Sequence, residues 1–186
     1  MTTVVLLAAG GGARYRASGG PGHKLLASFR GRPVVEWALA HAVEADVGPV
    51  HVVVGAVDLP VPAGVTVIRN PDWASGLASS LQLAVGVARR AGDDSVLVGL
   101  GDQPLVEAEA WRLVHAAPAA PLAVATYSGQ RGHPVRLGSD VWPLLPTAGD
   151  EGARSVLRDH GDLVVEVPCP GSPLDVDTRE DLSRWS

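Results

Sequence analysis

The sequence predicts an α/β protein in three layers, an α/β/α sandwich with helices over both faces of a mainly parallel sheet. Three observations carry this: a first run that is apolar at every position, apolar runs alternating with helically spaced segments along the chain, and a glycine triplet soon after the first run. A strand buried on both faces reads as a continuous hydrophobic run, and alternating strands and helices build parallel sheets. With 186 residues, 46% of them hydrophobic and 19% charged, the chain suits one domain over residues 1–186 whose core needs no disulfide or metal staple.

The elements follow in order. Val4–Ala8 is the continuous run, and it stops at Gly10-Gly11-Gly12, the pattern of a central strand ending in a tight loop. That loop is expected to run to about Arg32. Pro33 then stands where a helix can begin, with Val34, Val35, Leu39, Ala42 and Val43 at helical spacing. Val50–Val54 and Val65–Ile68 read as strands, Leu77–Arg90 as an amphipathic helix and Ser95–Leu100 as a buried strand. A helix near Glu107–Ala116, strands near Leu122–Thr126 and Val135–Leu137, a helix near Gly152–Asp159, the strand Leu163–Val167 and a last helical turn at Arg179–Trp185 complete the pattern. Trp37, Trp73, Trp111, Trp142 and Trp185 follow no repeat, and most are expected in the core or at its rim.

Ligands of such sheets bind beyond the carboxyl ends of the strands. The segments to inspect are therefore Ala8–Lys24, Asn70–Ser80, Leu100–Leu105 and the loops after Thr126 and Val167. Composition narrows the ligand. A net charge of −5 argues against a nucleic-acid binder or an anionic-membrane binder, since phosphate backbones are held by excess positive charge. Any anion must instead meet a local cationic pocket. Of the 15 basic residues only Lys24 is a lysine, which makes it conspicuous in an arginine-rich chain. The single cysteine, Cys169, excludes an internal disulfide and a cysteine-rich zinc site. The apolar start is too short to span a membrane and lacks the positive leader of a signal peptide, so a soluble, cytoplasmic protein is expected.

Consecutive glycines after a buried strand let backbone N–H groups approach an anion without Cβ obstruction, and Arg14 and Lys24 add charge for phosphate oxygens. The loop lacks the Gly-Lys-[Ser/Thr] of a Walker motif. As a dinucleotide fingerprint it is poor, because Tyr15 replaces the third glycine and no acidic residue ends a second strand about twenty residues on. A glycine turn without a ligand accounts for the same residues. In Gly101-Asp102-Gln103-Pro104 a buried strand delivers Asp102 to the ligand edge, where a hard oxygen suits Mg²⁺, although Asp before Pro also caps helices. In Asp175-Val176-Asp177 alternate carboxylates face one way on an extended segment, so both can approach one cation or cap the last helix. Asn70 to Leu81 places Asn70, Ser75, Gly76 and Ser80 at a strand-to-helix junction, where helix N–H groups and hydroxyls bind an anion or a base edge; these are also ordinary caps and turn formers.

Leu7-Ala8-Ala9-Gly10-Gly11-Gly12-Ala13-Arg14 with Lys24 downstream resembles the nucleotidyltransferase family that includes the molybdenum-cofactor guanylyl- and cytidylyltransferases. Gly101-Asp102-Gln103-Pro104, the Asn70–Leu81 segment and Asp175-Val176-Asp177-Thr178-Arg179-Glu180-Asp181-Leu182 are similar to further family segments in the same order, with Arg179 in place of a usual proline. The resemblance implies a Rossmann-like nucleotide-binding sheet and a Mg²⁺-dependent transferase. In it the Leu7–Gly12 backbone, Asn70, Ser75, Gly76, Ser80 and Gly101 bind nucleotide, and Arg14 and Lys24 act on the phosphates. Asp102 and Asp177, with Asp175 in support, hold the metal. Arg131–Val135 and Gly149–Arg154 resemble family segments on the side of the second substrate, which makes His133, Asp150 and Arg154 candidates there. Ala8-Ala9 and the glycine-rich spacer ending in His23 look more like the cytidylyl branch, which implies CTP as donor, molybdopterin as acceptor and a molybdoenzyme or maturation factor as partner. Transfer from GTP or to a sugar or alditol phosphate, NAD(P)H-dependent reduction of nicotine-derived pigment as in some relatives, and nucleotide binding without turnover are the rival readings.

Overall fold

The computed structural model describes residues 2–185, with the side chain of Trp185 outside the described part. Strand β1 (Thr2–Ala8) is buried at all seven positions and lies between β4 (Val50–Val54) and β6 (Ser95–Leu100), parallel to both. Its central place is the physical reason for its unbroken apolar run. The seven-stranded sheet has the order β5 (Thr66–Arg69), β4, β1, β6, β8 (Gln130–Gly138), β7 (Leu122–Tyr127), β9 (Val164–Pro168). Only β8 runs antiparallel to its neighbours. The expected three-layer, mainly parallel, Rossmann-like fold is the observed one.

Side-chain alternation on β1 divides the core into two layers. Val4, Leu6 and Ala8 pack with α2 (Val34–Glu44) and α4 (Ala108–Ala116), chiefly through Leu39 and Trp111. Val5, Leu7 and Ala9 pack with α3 (Leu77–Ala91) and α5 (Arg154–Asp159), through Leu81, Val85 and Leu157. Trp142 and Leu145, in and just after the 3-10 turn Ser139–Leu144, close that second layer. The buried Arg136 on β8 donates to the carbonyls of His115, Ala117 and Pro118 at 2.7–2.9 Å, which satisfies the carboxyl end of α4 with a cation.

Local differences from expectation lie in the first loop, at the start of β8 and at β5. The loop expected up to Arg32 holds α1 (Ala13–Ala17), a 3-10 turn at Lys24–Leu26, and a two-residue ladder between β2 (Ser28–Phe29) and β3 (Arg32–Pro33). Helix α1 is one turn long and starts from Gly12 with no side-chain cap, so it has no sequence signal. Strand β8 begins at Gln130, five residues before the expected Val135, because its first half pairs with the end of β7 across a Ser128-Gly129 turn. Both turn residues are left-handed (φ 51° and 81°), as a two-residue hairpin requires. The strand expected at Val65–Ile68 lies one residue later. Helix α6 (Arg179–Trp185) coincides with the expected turn. Among the described residues no helix is long and apolar enough to cross a membrane.

Candidate active site

A cleft of about 570 Å³ opens at the carboxyl ends of β1 and β6, lined by the Leu7–Gly11 backbone, Arg14, Lys24, Trp73, Gly76, Ser80, Asp102, Asp150, Arg154, Asp175 and Asp177. The strand register sets its floor. Leu7 pairs with Leu100, and Gly101 N–H donates to Leu7 O at 2.9 Å, so the glycine loop and Asp102 leave adjacent strands at the same height. Gly101 itself lies against Ala8, where a Cβ would come within 2.8 Å of the alanine methyl, and it fixes the strand junction beneath the cleft.

At one end of the cleft Lys24 bridges two carboxylates. Its Nζ lies 2.6 Å from Asp102 Oδ2 and 2.8 Å from Asp177 Oδ1, although the three residues come from positions up to 153 apart in sequence. Val176 N–H donates to Asp102 O at 2.9 Å and so holds the Asp175–Asp177 segment beside the end of β6. Burial works against the Lys24 charge, but Asp102 and Asp177 outweigh it and raise the ammonium pKa above its usual value. Lys24 is therefore a fixed cation. The exposed Arg14 guanidinium reaches Asp177 Oδ2 at 2.6 Å from α1. Asp177 is not the cap of α6; Asp181 accepts from the Asp177 and Thr178 N–H groups, and although burial raises its pKa, the hydrogen bonds from Thr178 and Asp177, with Arg184 close by, together hold it below the usual value. This leaves Asp177 free for the cleft.

The third carboxylate sits apart. Asp175 Oδ1 accepts from Gln103 Nε2 at 2.8 Å, and burial, followed by repulsion from Asp102, pushes its pKa up to about 6. The described residues contain no cluster of three or more His, Cys, Asp or Glu side chains arranged to hold a metal alone. The donor set nevertheless fits a hard divalent cation shared with a ligand. Asp102 and Asp177 converge on a single point now held by an ammonium, and Asp102 Oδ1 is buried with no hydrogen-bond partner. Mg²⁺ commonly takes one or two carboxylates and completes its shell with water and phosphate oxygens.

The Asn70–Ser80 segment forms the opposite wall. Asn70 is buried, donates to the Ser79 and Ser80 hydroxyls at 2.9 Å and accepts from Asp72 N–H, so it acts as a clamp behind the wall. Ser75 donates to Asp72 O and does not reach the cleft, whereas Gly76 and Ser80 line it. Gly76 needs its lack of a side chain: its φ is 113°, and a Cβ would meet Gly149 O at 2.5 Å. That contact seats the Gly149–Arg154 loop on the amino end of α3, with Asp150 Oδ1 accepting from Leu77 N–H at 3.3 Å. Trp73 packs, partly buried, against the rim of the core and also lines the cleft, with its ring against Gly11.

A second cavity of about 300 Å³ adjoins the first and shares Leu77, Leu100, Arg154 and Asp175 with it. His133, from the polar half of β8, lines its wall, and burial followed by the Arg154 charge brings the imidazole pKa down to about 4. Thus Arg14, Lys24, Asp102 and Asp177 come together, Asp150 and Arg154 lie at the far rim, His133 faces the adjoining cavity, and Asn70 and Ser75 stand behind the wall. Sequence reasoning did not single out Trp73 or Gln103 as wall residues, although each lies inside a segment it selected.

The sequence model of the MobA-like NTP transferase domain matches residues 4–164. The chain belongs to that family. No curated protein matches it by sequence. Among solved structures, Rv0371c from Mycobacterium tuberculosis H37Rv is 28% identical, with TM-score 0.78 over 98% of this chain and 96% of that one, and it has also been solved in complex with manganese. A nucleotidyl transferase from Methanothermobacter thermautotroptrophicus has TM-score 0.80 at 24% identity, covering 99% of this chain and 95% of its own, and so shares the fold. The inositol-1-phosphate CTP transferase from T. maritima shares it more distantly, at 16% identity and TM-score 0.73 over 97% and 91% of the two chains.

Proposed function

We propose that this protein transfers CMP from CTP to the terminal phosphate of molybdopterin with release of pyrophosphate. The observation that carries the reading is the convergence of Lys24, Asp102 and Asp177 beside the glycine loop, in a cleft open to a second cavity. In this reading the Gly10–Gly12 amides and Arg14 receive the β- and γ-phosphates, and Lys24 follows the α-phosphate. Asp102 and Asp177, with Asp175 alongside, would hold a divalent cation, which supplies positive charge to the phosphate oxygens. Gly76, Ser80 and Trp73 flank the nucleoside; Asn70 and Ser75 keep that wall in place, and Gly101 keeps the strand ends aligned.

The acceptor phosphate, in the adjoining cavity near His133, Asp150 and Arg154, supplies the nucleophilic oxygen. A P–O bond forms to the α-phosphorus, the bond to the bridging oxygen of the β-phosphate breaks, and pyrophosphate leaves with that electron pair. The phosphate nucleophile needs no protein base, so catalysis is alignment and charge neutralisation. Against dinucleotide reduction, β4 runs into Gly55 and Ala56 without the carboxylate that holds a dinucleotide ribose. The reading extends to a molybdoenzyme or maturation factor receiving the product.

Purified protein, CTP, Mg²⁺ and molybdopterin are expected to release pyrophosphate, more slowly with GTP, and not above background with Lys24→Ala. Release from a sugar or alditol phosphate but not molybdopterin would replace the acceptor; release equal to the Lys24→Ala control would remove the activity.

A further inference from the structure

The carbonyls of the glycine loop are held from behind. His23 is only 5% exposed; one ring nitrogen, Nδ1, accepts from Leu25 N–H at 3.3 Å, and the other, Nε2, lies 2.9 Å from Gly10 O. With Nδ1 accepting, the proton of the neutral ring is on Nε2, which therefore donates to Gly10 O. Burial, with Arg16 and Lys24 close by, keeps the imidazole pKa below its usual value despite the Gly10 bond. Arg16 donates to the next carbonyl, Gly11 O. A trans peptide is planar, with its C=O and N–H pointing in opposite directions. Fixing Gly10 O thus fixes Gly11 N–H, and fixing Gly11 O fixes Gly12 N–H, each turned away from its anchor. Gly12 sits between these parts in a left-handed conformation (φ 65°) that strains any side chain, and a Cβ there would make a tight 3.3 Å contact with His23 Nε2.

We propose that His23 is a positioning residue: by holding Gly10 O it aims Gly11 N–H at a polyphosphate in the cleft, and through the chain it ties that amide to the adjacent Lys24. The inference rests on the polyphosphate reading of the cleft and adds to it a residue that touches no ligand.

The test uses inorganic tripolyphosphate as probe, with binding measured by calorimetry and the Gly11 amide followed by ¹H–¹⁵N NMR, in the wild type, His23→Leu and His23→Gln. Leucine fills the space without a donor, whereas glutamine places an N–H near the original Nε2. His23→Leu is expected to bind tripolyphosphate about tenfold more weakly, with a smaller Gly11 shift and a raised KM for CTP at little change in kcat, and His23→Gln to recover most of each. Wild-type affinity in His23→Leu, equal losses in both variants, or a wild-type Gly11 amide that ignores bound tripolyphosphate would each overturn the proposal while leaving the cleft a polyphosphate site. A wild-type protein that binds no tripolyphosphate would overturn both readings.

Discussion

Replacing Lys24 with methionine keeps the length and apolar stem of the side chain and removes one charge from between two carboxylates. The structure sets the magnitude. Two charge-assisted hydrogen bonds, to Asp102 and Asp177 at 2.6 and 2.8 Å, are lost, each contributing about 1.5–3 kcal/mol when well shielded. Two factors reduce the sum: the three side chains keep 12–19% exposure, and Arg14 remains on Asp177. A loss of about 2–3 kcal/mol is expected, which for a domain of this size lowers Tm by roughly 4–12 °C. Thermal unfolding read by circular dichroism measures it. Added Mg²⁺ should return part of the stability, because the bared carboxylates regain a cation, but not the activity, which is expected to fall by roughly 10²–10³ in the pyrophosphate assay. A variant as stable as the wild type, or one releasing pyrophosphate at the wild-type rate, would refute the view that this cluster is both an electrostatic joint and the phosphate-handling group.

Two further outcomes follow from features away from that cluster. Arg136→Met leaves the His115, Ala117 and Pro118 carbonyls without their donor and should lower stability by about 2–4 kcal/mol in urea denaturation, with no change in nucleotide affinity. His133, held down to about 4, stays neutral when folded but gains a proton at about 6.5 when unfolded; as pH falls from 6.5 towards 4 the unfolded chain binds more protons and the wild type loses stability. His133→Gln should remove that loss, gaining on the wild type by up to about 3 kcal/mol at pH 4, and a difference independent of pH would contradict the burial of the imidazole.

Much of the fold was legible because central strands carry a one-word message. Val4–Ala8 and Ser95–Leu100 are apolar on both faces because both faces are covered, and Leu77–Ala91 shows its helical stripe for the same reason. What was not legible depends on partners distant in sequence. The start of β8, Gln130-Arg131-Gly132-His133-Pro134, has a polar and breaker-rich composition, and only pairing with β7 makes it a strand. In the site, Asp102 stood out because a carboxylate at a strand's end is legible locally, Asp177 because it alternates with Asp175 in a segment similar to one of the family, and Lys24 because it is the only lysine. The separation of Asp175 from them was not, since it depends on a Gln103 amide 72 positions away. Asn70 likewise looked like a wall residue and proves to be the clamp behind one, because its burial follows from the α3 serines it holds.

The reversed strand β8 has one more consequence. It alone brings its beginning, instead of its end, to the ligand edge, where it forms with β7 a hairpin closed by Ser128-Gly129. A hairpin can grow or shrink by one residue on each arm, two in all, while every inward side chain keeps its face. The wall of the second cavity is therefore an adjustable part: its reach can be reset in steps of two residues without disturbing the cleft beside β1.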